Sequence, residues 1–352
     1  MIDVHVHLRD GEQANKETLL HGMRVGVACG IQAFFDMPNT AVPLTTETAI
    51  RERLVAGAKA AALVEGYTPV YGVYGGITTH ISQILSMVEL HRKLFPNMVG
   101  LKMFGGHSTG NMGIVNNADQ KLVYKTLAEA EYTGVLAVHC EKEALLRPEL
   151  WDPNNPVSHT WARPAEAEVS SIADHITYAQ ELNFRGTLHI CHISTGKSIE
   201  LVNQARAQGM RISCGATPHH ALLNDALAGT KGNLLKMNPP LRSEANRKAV
   251  FQALCEGGID WIESDHAPHT LEDKAEGASG IPGFVGMVLL VNRLQQAGAS
   301  QSTLKQLCGE RACRTFGIDL PVEVPNLADQ EETLLRVRSA YPWGPFASLD
   351  RG

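Results

Sequence analysis

Residues 2–10 read Ile-Asp-Val-His-Val-His-Leu-Arg-Asp. The first six have the makings of a short buried strand, and alternation along it sends His5 and His7 to one face. Two imidazoles so placed can converge on one ion. Working outward, seven further apolar segments alternate with helical ones, and metal-binding residue types stand at the ends of four of them. These are Lys102 (segment 99–104), His139 (134–139), His192 (187–192) and Asp265 (just past 259–264). One such residue means little. The ordered set points to a metal-dependent hydrolytic site at one end of a barrel.

The remaining strands are predicted at 31–37, 68–74 and 211–216. Helical spacing predicts helices at 17–29, with Gly30 as C-cap, and from a cap at Thr45 or Thr46 to about 62. Others follow at 81–94, 119–132, 164–182, 197–207, 242–255, 284–296 and 301–316. Eight such units imply a (β/α)8 TIM-type barrel, whose active sites form at the C-terminal strand ends, where the candidate ligands fall. An open doubly wound sheet is the rival. It needs a Gly-rich phosphate loop after the first strand, and the turn here is His-Leu-Arg-Asp-Gly. Residues 1–320 are assigned to the barrel and 321–352 to a short C-terminal extension, read as a remnant of a β-sandwich.

The chain has 352 residues, 44% hydrophobic and 19% charged, with net charge −6 and pI near 6.2. That balance argues against nucleic-acid and anionic-membrane surfaces. No apolar run approaches the roughly 18 residues of a membrane span. The N-terminus lacks a basic-then-apolar signal, so a cytoplasmic location is expected. Seven scattered cysteines without a CxxC suggest reduced thiols rather than a disulfide framework.

Most isolated histidines of a core satisfy one hydrogen bond, and His21, His80, His91, His159 and His175 are assigned that role. His189 is out of phase with His192 and is expected on the opposite face; His219 and His220 are left outside the site. Lys102 needs its own account, because an ammonium repels cations. A neutral amine can instead take up CO2 as a carbamate, whose two oxygens could bridge two metals. The rival is a lysine paired with Asp265 beside a single metal. Arg9, in phase with His7, can grip a carboxylate bidentately, with Asn39 and His269 as further contacts. The loop 105–113, rich in glycine and carrying Ser108 and Thr109, suits a lid.

Several segments carry a resemblance: 3–10 (Asp-Val-His-Val-His-Leu-Arg-Asp), 36–40 (Asp-Met-Pro-Asn-Thr), 100–102 (Gly-Leu-Lys), His139 and 191–194 (Cys-His-Ile-Ser). To these are added 238–241 (Asn-Pro-Pro-Leu), 264–269 (Ser-Asp-His-Ala-Pro-His) and 280–284 (Gly-Ile-Pro-Gly-Phe). Together they resemble the amidohydrolase superfamily, and within it the dihydroorotases of the type fused into the multifunctional pyrimidine enzyme of animals. The resemblance implies reversible cyclisation of N-carbamoyl-L-aspartate to L-dihydroorotate. It implies two Zn2+ ions bridged by carboxylated Lys102, one held also by His5, His7 and Asp265, the other by His139 and His192. Asp265 would carry the proton. Arg9, Asn39 and His269 would hold the substrate carboxylate, and Asn238, Ala267, Pro282 and Gly283 would contact the ring, mostly through backbone. Relatives of this type begin with several dozen residues of a small β-sandwich. This chain begins at its first barrel strand, so the sandwich is expected to be absent or vestigial, or else cut from this sequence. The expected partner is a small-molecule substrate, with a homodimer as the candidate assembly. Competing readings are a hydantoinase or allantoinase, using the same metals, and an inactive barrel serving as a scaffold. The last predicts missing ligands, and none is missing.

Overall fold

The computed structural model describes residues 1–108, 110–325, 327–337, 339–347 and 349, with backbone alone at 327–331. Eight parallel strands pair in chain order: β1 (Ile2–Val6), β2 (Ala33–Asp36), β3 (Val70–Gly76), β4 (Met98–Phe104), β5 (Val135–His139), β6 (Thr187–Ile190), β7 (Ile212–Ala216) and β8 (Trp261–Ile262). Every residue of β1, β2, β4, β5, β6 and β7 is buried, as expected of strands covered by helices outside and packed side chains inside. The expected (β/α)8 barrel is therefore present. Its seam between β8 and β1 is thin. It consists of one bridge, Val6 to His266, with the His7 N–H donating to the His266 carbonyl at 2.7 Å and the Ser264 N–H donating to Asp3 Oδ1 at 3.0 Å.

Polar caps set where the outer helices begin. Thr18, Thr46, Asn116, Thr195 and Ser243 each accept a backbone N–H at the start of Leu19–Ala28, Glu47–Ala62, Asn117–Glu129, Gly196–Ala207 and Glu244–Glu256. Gly30 follows the first of these at φ +80°, a position that favours glycine. Three expected elements differ. The helix predicted over 301–316 is broken by a π-helical turn, Gln306–Glu310, in which Gly309 sits at φ +149°. A Cβ there would come within 2.9 Å of Ile2, so this glycine lets the turn close against the start of β1. The strands predicted over 187–192 and 259–264 stop early, at Ile190 and Ile262, because the chain turns into the mouth.

At the N-terminal end the barrel is plugged by aromatics. Phe316 packs edge-on to Phe35 and Tyr74 and tilted against Trp261, at centroid distances of 5.1, 6.2 and 5.8 Å. Polar groups are thereby left to the other end. Among the described residues no strand lies outside the barrel, and 321–352 contains the helix Leu327–Val337 against Phe284–Gln296 and Leu19–Ala28. No helix among them is long and apolar enough to cross a membrane.

Asp36, wholly buried at the end of β2, fixes the start of the site. It accepts from Tyr71 Oη at 2.7 Å, from Arg53, and from the Leu8 N–H at 3.1 Å, while Arg53 also reaches the Leu8 carbonyl. The Tyr71 ring lies flush on Gly57, where a Cβ would come within 2.1 Å of it. Glycine inside an exposed helix ordinarily costs about 1 kcal/mol relative to alanine, whereas overpacking costs about 1–3 kcal/mol. Gly57→Ala should therefore lower the unfolding free energy despite its better helix propensity. A denaturant melt showing stabilisation would mean that Tyr71 moves freely.

Candidate active site

The strand ends open into a cleft lined by His5, His7, Arg9, Asn39, Lys102, Ser108, His139, His192, Asn238, Asp265 and Ala267, with Phe104, Met237, Ser279 and Gly280. Eleven of the residues singled out in the sequence thus meet in one place. Thr109, the other residue proposed for the lid, lies outside the described residues.

The first donor group is His5, His7 and Asp265, whose ligand atoms all lie within 4.8 Å of one another. His7 Nδ1 stands 2.8 Å from Asn39 Oδ1, an acceptor, so Nδ1 carries the proton. When neutral, His7 then aims the lone pair of Nε2 at Asp265 Oδ1, 3.0 Å away. Two lone pairs facing each other need a cation or a shared proton between them. Burial favours the neutral ring and outweighs the attraction of Asp265, holding His7 below its ordinary value. Burial would raise Asp265, but its bond to His7 and the charges of His5, His7 and His219 hold it well below the usual carboxylate range. The arrangement fits a bound cation.

His139 and His192 form the second group. His139 Nε2 donates to Glu141 Oε2 at 3.0 Å, which leaves the Nδ1 lone pair 3.1 Å from His192 Nε2. His192 Nδ1 is buried without a partner, and burial, then the charges of His139, His5 and Lys102, keep this ring far below its ordinary value. A neutral, buried, under-bonded imidazole is the form a metal takes. Lys102 lies between the groups, fully buried. It makes no ion pair with Asp265; Nζ is 3.0 Å from Cys191 Sγ. Cys191, His5 and Glu263 form a further set of donor atoms within 4.8 Å.

Three expectations are corrected. His269 does not line the cleft, because Nε2 bonds the Ser279 carbonyl at 3.1 Å while Nδ1 lies 3.4 Å from both Lys16 Nζ and Asp273. Pro282 and Gly283 lie behind the wall, with the Gly283 N–H committed to His266 Nδ1 at 3.1 Å. His189 does not face away from His192. It points into the barrel, bonding Glu263 at 3.1 Å, because β6 ends at Ile190 and His192, at φ +36°, leaves strand phase. Of the isolated histidines, His80 is exposed, whereas His159 steadies Asn238 through a 2.9 Å bond to Oδ1. His219 is buried with neither ring nitrogen partnered.

Two carboxylates were missed. Glu141, fully buried, is gripped by Arg163 and orients His139. Glu263 accepts from His189, from Trp261 Nε1 at 3.0 Å and from the His192 N–H, and it stands 3.5 Å from His5 Nδ1. The signal for Glu141 was its spacing two residues past His139. Glu263 was visible as an acidic residue directly after the apolar pair Trp261-Ile262.

Over 322 residues the chain is 32% identical to a dihydroorotase from Thermococcus kodakarensis, covering 90% of the chain and 68% of that protein. It is 34% identical over 319 residues to a dihydroorotase from Brevibacillus brevis, covering 87% and 70%. Among solved structures, L-hydantoinase from Arthrobacter aurescens superposes with a TM-score of 0.77 at 23% identity, over 90% of this chain and 70% of that one, a likeness of fold. No family profile matches.

Orienting carboxylates beside metal-binding histidines typically contribute 10–100-fold to metal affinity. Glu141→Ala should weaken metal binding by about that factor. It should also lower stability by about 3–5 kcal/mol, since Arg163 is left unpaired. Parent affinity in a zinc titration would remove Glu141 from the site's support.

Proposed function

The chain belongs to the dihydroorotase family, and we propose that this cleft carries out the reversible cyclisation of N-carbamoyl-L-aspartate to L-dihydroorotate. The observation that carries the substrate class is the state of Arg9. It is 3% exposed, its Nε is buried without a partner, and no carboxylate lies within the 4.0 Å of an ion pair among the described residues. Its side chain has one weak bond, at 3.5 Å to Gln13 Oε1. A buried guanidinium left so is costly, and a substrate carboxylate offsets that cost with two parallel hydrogen bonds. An uncharged hydantoin brings no such group, and the scaffold reading leaves Arg9 and the intact donor set without a purpose.

We assign two Zn2+ ions to the site, one to His5, His7 and Asp265 and the other to His139 and His192, with Lys102 carboxylated between them. When bound, such ions supply Lewis acidity and acidify water. The chain's own groups do the rest. Asp265, kept ionised by its histidine neighbours, accepts the proton of the attacking water and returns it to the ring nitrogen as the amide opens. In cyclisation it takes the proton from the carbamoyl nitrogen and passes it to the departing water. Arg9 holds the carboxylate at the far side, with Asn39 steadying His7 beside it. Asn238, held by His159, and Ala267 face the ring. Ser108 on the loop over the cleft closes on the substrate. The enzyme acts on a small molecule in the cytoplasm, as a homodimer.

Truncating one partner of a buried charge pair costs about 2–5 kcal/mol, so Arg9→Ala should cut kcat/KM for dihydroorotate roughly 30-fold to several thousandfold. Hydantoin turnover should change far less, and Arg9→Lys should rescue only in part. Parent kinetics in the alanine variant, with metal bound, would reject carboxylate recognition by Arg9. Lys102→Ala should lose metal and activity together, with partial recovery on adding short carboxylic acids. An alanine variant with full metal content and turnover would end the bridging role.

A further inference from the structure

We propose that the C-terminal segment 339–347 braces the carboxylate-binding side of the cleft, with Tyr341 and Trp343 as positioning residues. The proposal rests on the substrate reading above and concerns groups that line no part of the cleft. Tyr341 Oη donates to Glu17 Oε1 at 2.6 Å. The same carboxylate accepts from His266 Nε2 at 2.9 Å and, through Oε2, from the backbone N–H of Arg9 at 3.3 Å. His266 in turn accepts the Gly283 N–H on Nδ1, which fixes its proton on Nε2. Its carbonyl receives the His7 N–H, and its ring stacks on Phe284 at 3.7 Å. One phenol therefore reaches, through Glu17 and His266, the backbone of Arg9, of His7 and of the loop that carries Gly280 into the cleft.

Trp343 makes a second tie. Its indole Nε1 donates to the His269 carbonyl at 3.1 Å, and Lys274 Nζ lies 5.5 Å from the centre of its ring. Lys274, 1% exposed, gives its ammonium to the carbonyls of Lys236, Ala278 and Gly280, so the wall at Gly280 hangs from a lysine that the tail covers. Two glycines make room for the brace. A Cβ at Gly22 would come within 2.8 Å of the Glu17 carboxyl, and one at Gly286 within 2.4 Å of the Phe346 ring. A buried carboxylate needs all its donors, and Tyr341 is the one supplied by the tail. Without it, Glu17 holds the Arg9 backbone less firmly, and the guanidinium loses its fixed aim at the substrate carboxylate.

The test uses the full chain with zinc bound and two variants: Tyr341→Phe, which keeps the ring and removes the phenol donor, and Trp343→Phe, which removes the indole donor and leaves a smaller aromatic ring. The reading for Tyr341→Phe is a KM for dihydroorotate raised about 5- to 30-fold with kcat within about twofold, parent metal content, and hydantoin KM unchanged. Amide hydrogen exchange in peptides covering Arg9 and Gly283 should quicken at the same time. Trp343→Phe should quicken exchange in peptides covering 269–280. A KM unchanged in an active Tyr341→Phe enzyme overturns the proposal, and so does an equal loss on hydantoin, which is what general loosening would give. If the parent turns over no dihydroorotate, the assigned activity falls instead. Exchange then decides the brace alone: parent protection at Arg9 and Gly283 in Tyr341→Phe overturns it.

Discussion

A carboxylate sealed inside a barrel has to be met entirely by protein donors, and Glu263 is in that position. It is fully buried, and three strands converge on it: His5 from β1, His189 and the His192 N–H from β6 and its turn, and Trp261 from its own β8. β7 contributes by withdrawing. A Cβ at Gly215 would come within 2.1 Å of Glu263 Oε2, so glycine is what lets the carboxylate occupy the axis. Its charge is held well below the ordinary range by His189 and His5, against the pull of burial. The positions of His5 and His192, one from each donor group, thus depend on a residue that lines no part of the cleft.

The same economy of charge separates support from recognition. Arg53 is matched to Asp36, Arg163 to Glu141, and Arg242 lies close to Glu168 and bonds Ser194 and the Arg163 carbonyl. These guanidiniums are structural, because their partners come from the chain. Arg9 is buried as deeply as Arg242 and more deeply than Arg53 and Arg163, and it has no such partner. Burial lowers its pKa, and the charges of Glu17 and Asp36 only partly offset that pull. A group held at a cost in the free protein is one that a ligand of opposite charge can relieve.

Much of this was legible in the chain. Alternation alone put His5, His7 and Arg9 on one face, and all three line the cleft although the pairing of β1 with β2 shifts register between Asp3 and Val6. Strand phase failed where backbone left the strand. His192 and Asp265 both adopt positive φ, +36° and +46°, and no periodicity argument anticipates a left-handed residue that is not glycine. Strain of this kind at two candidate ligands is typical of sites held by their surroundings. His269 and Gly283 misled for another reason. They sit in a motif whose neighbours do line the cleft, but hydrogen-bond partners distant in sequence, Ser279 and His266, engage the very atoms expected to face the substrate. Glu141 and Glu263 were passed over because an acidic residue has no partner until the fold supplies one.

The thin seam of the barrel has a consequence for how the protein is made. Asp3 and Ser264, which bond across it, are 261 residues apart, whereas the other seven strand pairs join neighbours in the chain. During synthesis β1 emerges first and must wait, its histidines unsatisfied, until β8 has left the ribosome. Contacts of such long range close late. Because Asp265 and His5 stand on opposite sides of this last joint, the nascent chain has no complete first donor group until then. The first donor group therefore needs both ends of the barrel, and a chain cut short before 265 is without it.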